Sequence, residues 1–430
     1  MGSAALNVLV VVLEGARPDH LSCTGYERET TPFLDQVARE GVRFPHAFSC
    51  APTSLAAHAS ILTGLFPSRH GANEETRVLA STPRVLPEYL KAAGYRTAAF
   101  CPDPAIGPES GFGRGFDRFY TQRLGGRITG RAADYARRAS DRVLGRADAG
   151  ARRTTHALLD WLAAGREPFF ALVHYREPRR PLRPPAPYDR AFMPSALNGA
   201  PGQPVSTDVA AALAALHDGA LRYADLRLKQ VADALAADGC WDQTLFVVTA
   251  SYGEDLGDGG ALGDAPGLRD AALRVPLLLR CPGRIPAGFV VEEFAQPVDL
   301  LPTIAALTGC TIDAPVQGRA LLIASSVTAG PRAVIAETFR SRPGDVRRKV
   351  IRTRREKLIW QSDEANVLYD VARDPAEQHD LAGAEPARAD RLRRSLFDWL
   401  ADSERWADAH GLAVAEAGAR PTLERQGAGD

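Results

Sequence analysis

Ser54 stands at the head of SLAAHASILTG, where Leu55, His58, Ala59 and Leu62 recur at helical spacing and Gly64 stops the run. A serine in that place can cap the helix with its hydroxyl. A helix start also attracts anions. Arg17, His58, His70, His174 and Arg179 are the cationic or protonatable side chains that could hold an anion there. A second group is acidic: Glu254, Asp255, Asp258 and Asp264 crowd one segment, and Glu14 follows the first apolar run. Carboxylates in such number suit a hard divalent cation; they suit a solvated acidic loop as well, which is the plainer expectation. His70, in PSRHG, and His20 read as structural turn and loop residues.

These side chains need a scaffold, and the chain supplies alternating strand and helix patterns. NVLVVVL, PFFALVHY and TLFVVTAS are continuous apolar runs of the kind buried inside parallel sheets. Helical patterns lie between them, in TPFLDQVAREG, VLPEYLKAAG and YADLRLKQVADALAADG, and YRTAAFC reads as another strand. The order predicts an α/β fold built on a doubly wound, mostly parallel sheet. Two excursions interrupt it: an Arg/Gly/Ala-rich span over 121–153, and a Pro/Gly/Ser-rich surface loop over 178–208. Past residue 330 come short strands, AVIAETF, KVIRTRREKLIW and ANVLYDV, then the helix ARADRLRRSLFDWL. They predict a smaller C-terminal α+β domain with an antiparallel sheet. The expected division is 1–330, 331–410 and a flexible tail over 411–430.

The 430 residues carry 52 Lys+Arg and 52 Asp+Glu, a net charge of zero, which argues against a nucleic-acid-gripping function. Hydrophobic residues at 45% give a chain of this length a sizeable core and exclude a disordered or fibrous one. The six cysteines are scattered without a CxxC pair, so free thiols are expected rather than a disulfide framework. NVLVVVL is too short to cross a bilayer and lacks the flanks of an export signal, so a cytoplasmic protein without a membrane span is expected.

The opening, NVLVVVLEGARPDHLSCTGYERETTPFLDQVAREGVRFPHAFSCAPTSLAAHASILTGLFPSRHG, resembles that of the sulfatase family within the alkaline-phosphatase superfamily. GYRTAAF, GFGRGFDRFY, PFFALVHYREPRRPLRPP, ALRVPLLLRCPGRIPAG, PVDLLPTIAALTG and LYDVARDPAEQHDLAG follow in that family's order. The resemblance spans Asn7 to Leu400. It implies a hydrolase of sulfate or phosphate esters, with a divalent cation, a nucleophile on that cation, and cationic or imidazole groups around the ester.

By this resemblance Ser54, nine residues before Thr63-Gly64, takes the nucleophile position, with His58 its partner and Arg17, His174 and Arg179 beside the ester. Cys50 lies thirteen before Thr63 and is rejected as the nucleophile. The arginine that helps specify formylglycine is replaced by His58, so that modification is not expected. The metal positions depart from the family. Two adjacent aspartates are replaced by Glu14 and Gly15, and a second ligand pair by Ser251 and Tyr252. Histidines of the glycine-rich segment are replaced by Gly259 and Asp264, and the HxxDPHxP pattern by HYREPRRP. Glu14 is left as the one metal-ligand remnant.

Two functions follow as expectations. The first is a pseudoenzyme on a sulfatase fold, with a binding, regulatory or assembly role, no cofactor, and an anionic small molecule or a protein as partner. The alternative is an active ester hydrolase or transferase using Ser54, with calcium or magnesium at a shifted site or with no metal at all. On the first, restoring Gly15→Asp, Ser251→Asp and Tyr252→His together is expected to regain the metal.

Overall fold

The computed structural model describes residues 5–121, 148–166, 168–193, 209–257, 267–321, 332–339 and 346–410. Its centre is strand β1 (Asn7–Gly15), nine buried residues with no polar side chain between Val8 and Leu13. Only a strand covered on both faces can carry such a run. Strand β2 is Val42–Arg43, β3 Arg96–Phe100, β4 Arg118–Tyr120, β5 Phe169–Tyr175, β6 Thr244–Gly253, β7 Leu277–Arg280 and β8 Phe289–Val290. They form one eight-stranded sheet in the order β4-β3-β5-β1-β6-β7-β2-β8. β1 lies parallel to β5 and β6, and β3 parallel to β4 and β5; β7 is antiparallel to β6 and β2. The mostly parallel sheet expected from the alternating pattern is therefore present.

Helices α1 (Pro32–Glu40), α2 (Ser54–Thr63), α3 (Pro67–His70), α4 (Leu86–Ala92), α5 (Ala151–Ala163), α6 (Val209–Ala237), α7 (Asp270–Leu273) and α8 (Leu300–Thr308) are distributed along the same stretch of chain. α6 is longer than the YADLRLKQVADALAADG pattern: it begins at Val209, in an Ala-rich run that precedes Asp218. Beyond it, β9 (Val334–Thr338), β10 (Arg348–Arg352), β11 (Glu356–Gln361) and β12 (Val367–Asp370) make a four-stranded antiparallel sheet in the order β12-β11-β10-β9. Helix α9 (Pro386–Ala409) packs Leu392 and Leu396 against Ile351, Leu358 and Leu368 of that sheet. KVIRTRREKLIW, expected among short strands with turns, is a hairpin turning at Arg354 and Arg355.

Phe48, Leu273 and Phe294 of the large sheet region share a core with Val334, Ala336 and Val350 of the small one. Buried ion pairs reinforce the seam: the Lys357 ammonium, fully buried, meets Asp270 at 2.9 Å and Glu377 at 2.5 Å. Among the described residues no helix is long and apolar enough to cross a membrane. All six cysteines are unpaired.

Candidate active site

In a doubly wound sheet, functional side chains gather at the carboxyl ends of the strands. Glu14 and Gly15 end β1, His174 lies near the end of β5, Ser251 and Tyr252 near the end of β6, and Ser54 opens α2. The parallel register sets Val12 beside both His174 and Thr249, which brings these ends to one place.

The cluster centres on the Glu14 carboxylate, which is 2% exposed. The Ser54 hydroxyl donates to Glu14 Oε1 at 2.5 Å and lies 3.1 Å from the Ser251 hydroxyl. His174 Nε2 lies 3.3 Å from Glu14 Oε2, and Arg179 Nη1 3.3 Å from Glu14 Oε1. Arg176 Nε stands 4.0 Å off on the Oε2 side. Asp103 offers Arg179 a second carboxylate at 3.7 Å. His58 Nδ1 donates to the backbone carbonyl of Ser54 at 2.7 Å, and its ring lies 4.6 Å from that of His174, centroid to centroid. His174 Nδ1 faces the Cys101 thiol at 3.1 Å.

The electrostatics follow from burial set against pairing. Burial pushes the Glu14 carboxyl up, but the hydrogen bond and charge of His174, with Arg179 and Ser54, outweigh it and hold the group at about 2. Burial pulls His174 down, yet Cys101 and Glu14 raise it to about 10, so it is an imidazolium at neutral pH. His58 has no carboxylate of its own; burial and the neighbouring His174 charge lower it to about 3, leaving it neutral. The Tyr252 phenol is pushed up by burial, Glu14 and Glu254, and stays protonated.

The family's divalent cation does not fit this donor set. Of the four ligand positions, one carries a carboxylate, one has no side chain, one is a neutral hydroxyl and one a protonated phenol. The single carboxylate already faces His174 and Arg179. A hard dication entering here would meet the imidazolium and guanidinium at close range, with too little negative charge to offset them.

Among the described residues of the acidic segment, Glu254 and Asp255 do not rebuild the site. Glu254 was expected on a solvated loop; it is 5% exposed instead, because Arg180 holds it with Nε at 2.6 Å and its backbone N–H at 3.1 Å. Asp255 accepts the backbone N–H of Gly257. Asp258, Gly259 and Asp264 lie outside the described residues, as do 122–147 and 194–208 of the two excursions. Gly15 has φ +86°, and a Cβ there would come within 3.1 Å of both the Arg179 backbone and Glu254 Oε2. The expected rescue by Gly15→Asp is thus corrected: Glu254 and the Arg179 backbone crowd the place of the missing side chain.

The structure joins Ser54, His58, His174, Arg179, Glu14 and Ser251 in one cluster, with Tyr252 beside it. Arg17 takes a different position: it grips Asp19 through two bonds, at 3.1 and 2.6 Å, and lines a separate cavity of about 370 Å³ with Arg269 and Arg274. His70 and His20 are structural, bonded to Ser60 and Asp218. Cys50 is fully buried and its thiol is pushed up to about 12, chiefly by burial. Sequence reasoning passed over Cys101, Asp103, Arg176 and Arg180. The signal for Cys101 was its place one residue beyond β3, at the same strand ends.

The sulfatase family model matches residues 6–310, and that of the N-sulphoglucosamine sulphohydrolase C-terminal region matches 264–404. An arylsulfatase of Clostridium perfringens is 24% identical over 462 residues, covering 93% of this chain and 95% of its own. The multifunctional alkaline phosphatase superfamily protein PehA of Trinickia caryophylli is 26% identical over 481 residues, covering 90% and 93%. The crystal structure of a phosphonate monoester hydrolase of Agrobacterium radiobacter superposes with TM-score 0.80 at 23% identity, over 93% of this chain and 96% of that one.

Proposed function

The chain belongs to the sulfatase family, and we propose that it is a non-hydrolytic member, a pseudoenzyme with a binding, regulatory or assembly role. The observation that carries this is the state of Glu14. Its charge is already met by His174 and Arg179, where an active member would present carboxylates to a metal. The remaining catalytic parts are also disabled. The Ser54 hydroxyl is 7% exposed and donates to a carboxylate held at about 2, which makes that carboxylate a weak base. His58, at about 3, carries no proton on Nε2 to give a leaving group.

Binding capacity remains at the mouth. The side chains of Arg176, Arg179 and Arg180 are about one-third exposed, at 34%, 35% and 33%, and guanidinium groups match the oxygens of a sulfate, phosphate or carboxylate. An anionic small molecule, or an anionic group on a protein partner, is the ligand class proposed. The six unpaired cysteines support a reducing, cytoplasmic setting.

The short Ser54–Glu14 bond favours one second function, a metal-free transferase in which Glu14 receives the serine proton. Aryl sulfate, phosphate and phosphonate assays with and without added calcium, magnesium, manganese or zinc separate the two. The pseudoenzyme reading expects no turnover that Ser54→Ala removes. Ser54-dependent turnover would overturn it.

A further inference from the structure

Beneath the inherited oxygen site lies a different donor set. Cys101 follows β3, His58 sits on α2 and His174 on β5, and all three are fully buried. The register Phe100↔Val173 sets Cys101 next to His174. One ligand atom from each lies within 4.8 Å of the others. Bonds of about 2.0–2.3 Å to a tetrahedral zinc put ligand atoms about 3.3–3.7 Å apart, so the three need to close by up to about 1.5 Å.

A second observation points into the same space. His174 presents Nδ1 to Cys101 at 3.1 Å and turns Nε2 to Glu14 Oε2 at 3.3 Å, while His58 Nε2 is buried without a hydrogen-bond partner among the described residues. His58 Nδ1 donates to the Ser54 carbonyl, so the Nε2 lone pair faces inward with no donor. A histidine whose other nitrogen is tied to a carbonyl is the usual form of a metal ligand. The other cluster of this type, His20, His217 and Asp218, also holds a histidine nitrogen without a partner, His217 Nδ1, but its carboxylate is taken: Asp218 accepts from Tyr26 and Arg28 and pairs with His20.

We propose that His58 Nε2, Cys101 Sγ and His174 Nδ1 form a buried three-residue site for a zinc-like transition metal, with Glu14 facing the other nitrogen of His174. Two imidazoles and a thiolate are borderline-soft ligands, suited to Zn2+ and unsuited to Ca2+ or Mg2+. The exchange balances: Zn2+ enters, the His174 imidazolium releases one proton and the Cys101 thiol another. The net charge of the buried site is therefore unchanged. Calcium gains nothing from this route, because imidazole and thiolate are poor ligands for it and the imidazolium keeps its proton.

The test uses the full chain expressed in cobalt- or zinc-supplemented medium, so that metal is present while the site forms. About one metal per chain is expected after gel filtration. The cobalt form is expected to show a thiolate-to-cobalt charge-transfer band, absent in Cys101→Ser and kept in Cys281→Ser. Metal affinity is expected to fall at least ~100-fold in Cys101→Ser. X-ray absorption on the zinc-loaded wild type needs no variant; one sulfur neighbour and the scattering of two imidazoles are expected. Substoichiometric metal, a cobalt spectrum without the thiolate band, or a band that survives Cys101→Ser would each overturn the site. The readout is coordination, not turnover, so its failure is distinct from that of the pseudoenzyme proposal. Zinc bound with Ser54-dependent hydrolysis sinks only the latter; no zinc and no hydrolysis sinks only the former.

Discussion

Gly15→Asp returns the missing carboxylate of the family's first ligand pair, and the structure says what it costs. Gly15 has φ +86°, where an L-residue is strained by about 1 kcal/mol even for aspartate, the type that tolerates it best. The new Cβ would lie 3.1 Å from the Arg179 Cα, and backbone held between Glu14 and Arg180 cannot yield cheaply. Overpacking of that kind costs about 1–3 kcal/mol. The added charge would also stand against Glu254, whose Oε2 is 3.1 Å from the same Cβ. The sum is a loss of about 2–4 kcal/mol, measurable by urea unfolding with tryptophan fluorescence. The triple variant with Ser251→Asp and Tyr252→His is expected to stay below half-saturation at millimolar calcium, because His174 and Arg179 remain. A Gly15→Asp chain as stable as the wild type, or a triple variant that binds calcium stoichiometrically, would refute the reasoning.

Other consequences can be measured on the same protein. With chelator present, the Glu14–His174 pair ties stability to pH from both sides. Glu14, lowered from 4.5 to about 2, contributes stability that is present above 4.5 and lost as pH falls through 2; His174, raised from 6.5 to about 10, contributes stability that is present below 6.5 and lost as pH rises through 10. The stability gap between wild type and Glu14→Gln is therefore expected to be widest between about pH 4.5 and 6.5, at about 3 kcal/mol, and to narrow toward pH 10 in urea titrations. A gap that does not change with pH would contradict the pairing. Lys357→Met leaves Asp270 and Glu377 buried without their shared cation, and is expected to lose about 3–5 kcal/mol by the same assay. Ser54→Ala removes a donor to a carboxylate that keeps His174 and Arg179, so a modest loss of about 1–2 kcal/mol is expected, with no change in basal turnover.

Much of this was legible in the sequence for a physical reason. VLVVVL and LFVV, inside the first and sixth strands, have no polar interruption, which only a doubly covered strand permits. The spacing of Ser54 to Gly64 placed the serine at a helix start. Substitution at Gly15, Ser251 and Tyr252 could be read only against the pattern of the family that the chain resembles. What could not be read was the fate of the charges left behind. Glu254 looked like part of a solvated loop until Arg180, far off in the chain, was seen to hold it. Arg17 looked like a site residue, yet it grips Asp19, two residues away. Cys101 carried no motif; only the pairing of β3 with β5 shows that it faces His174. Each of these depends on contacts between strands distant in sequence, where residue type says what a side chain can do and only the fold says what it meets.

The central claim is that protein cations now neutralise the carboxylate that once served a metal. Calorimetric titration of calcium and magnesium into chelator-stripped protein at neutral pH tests it most directly. No saturable binding up to millimolar concentration is the expected result. Stoichiometric binding at micromolar concentration, weakened by Glu14→Gln, would contradict it.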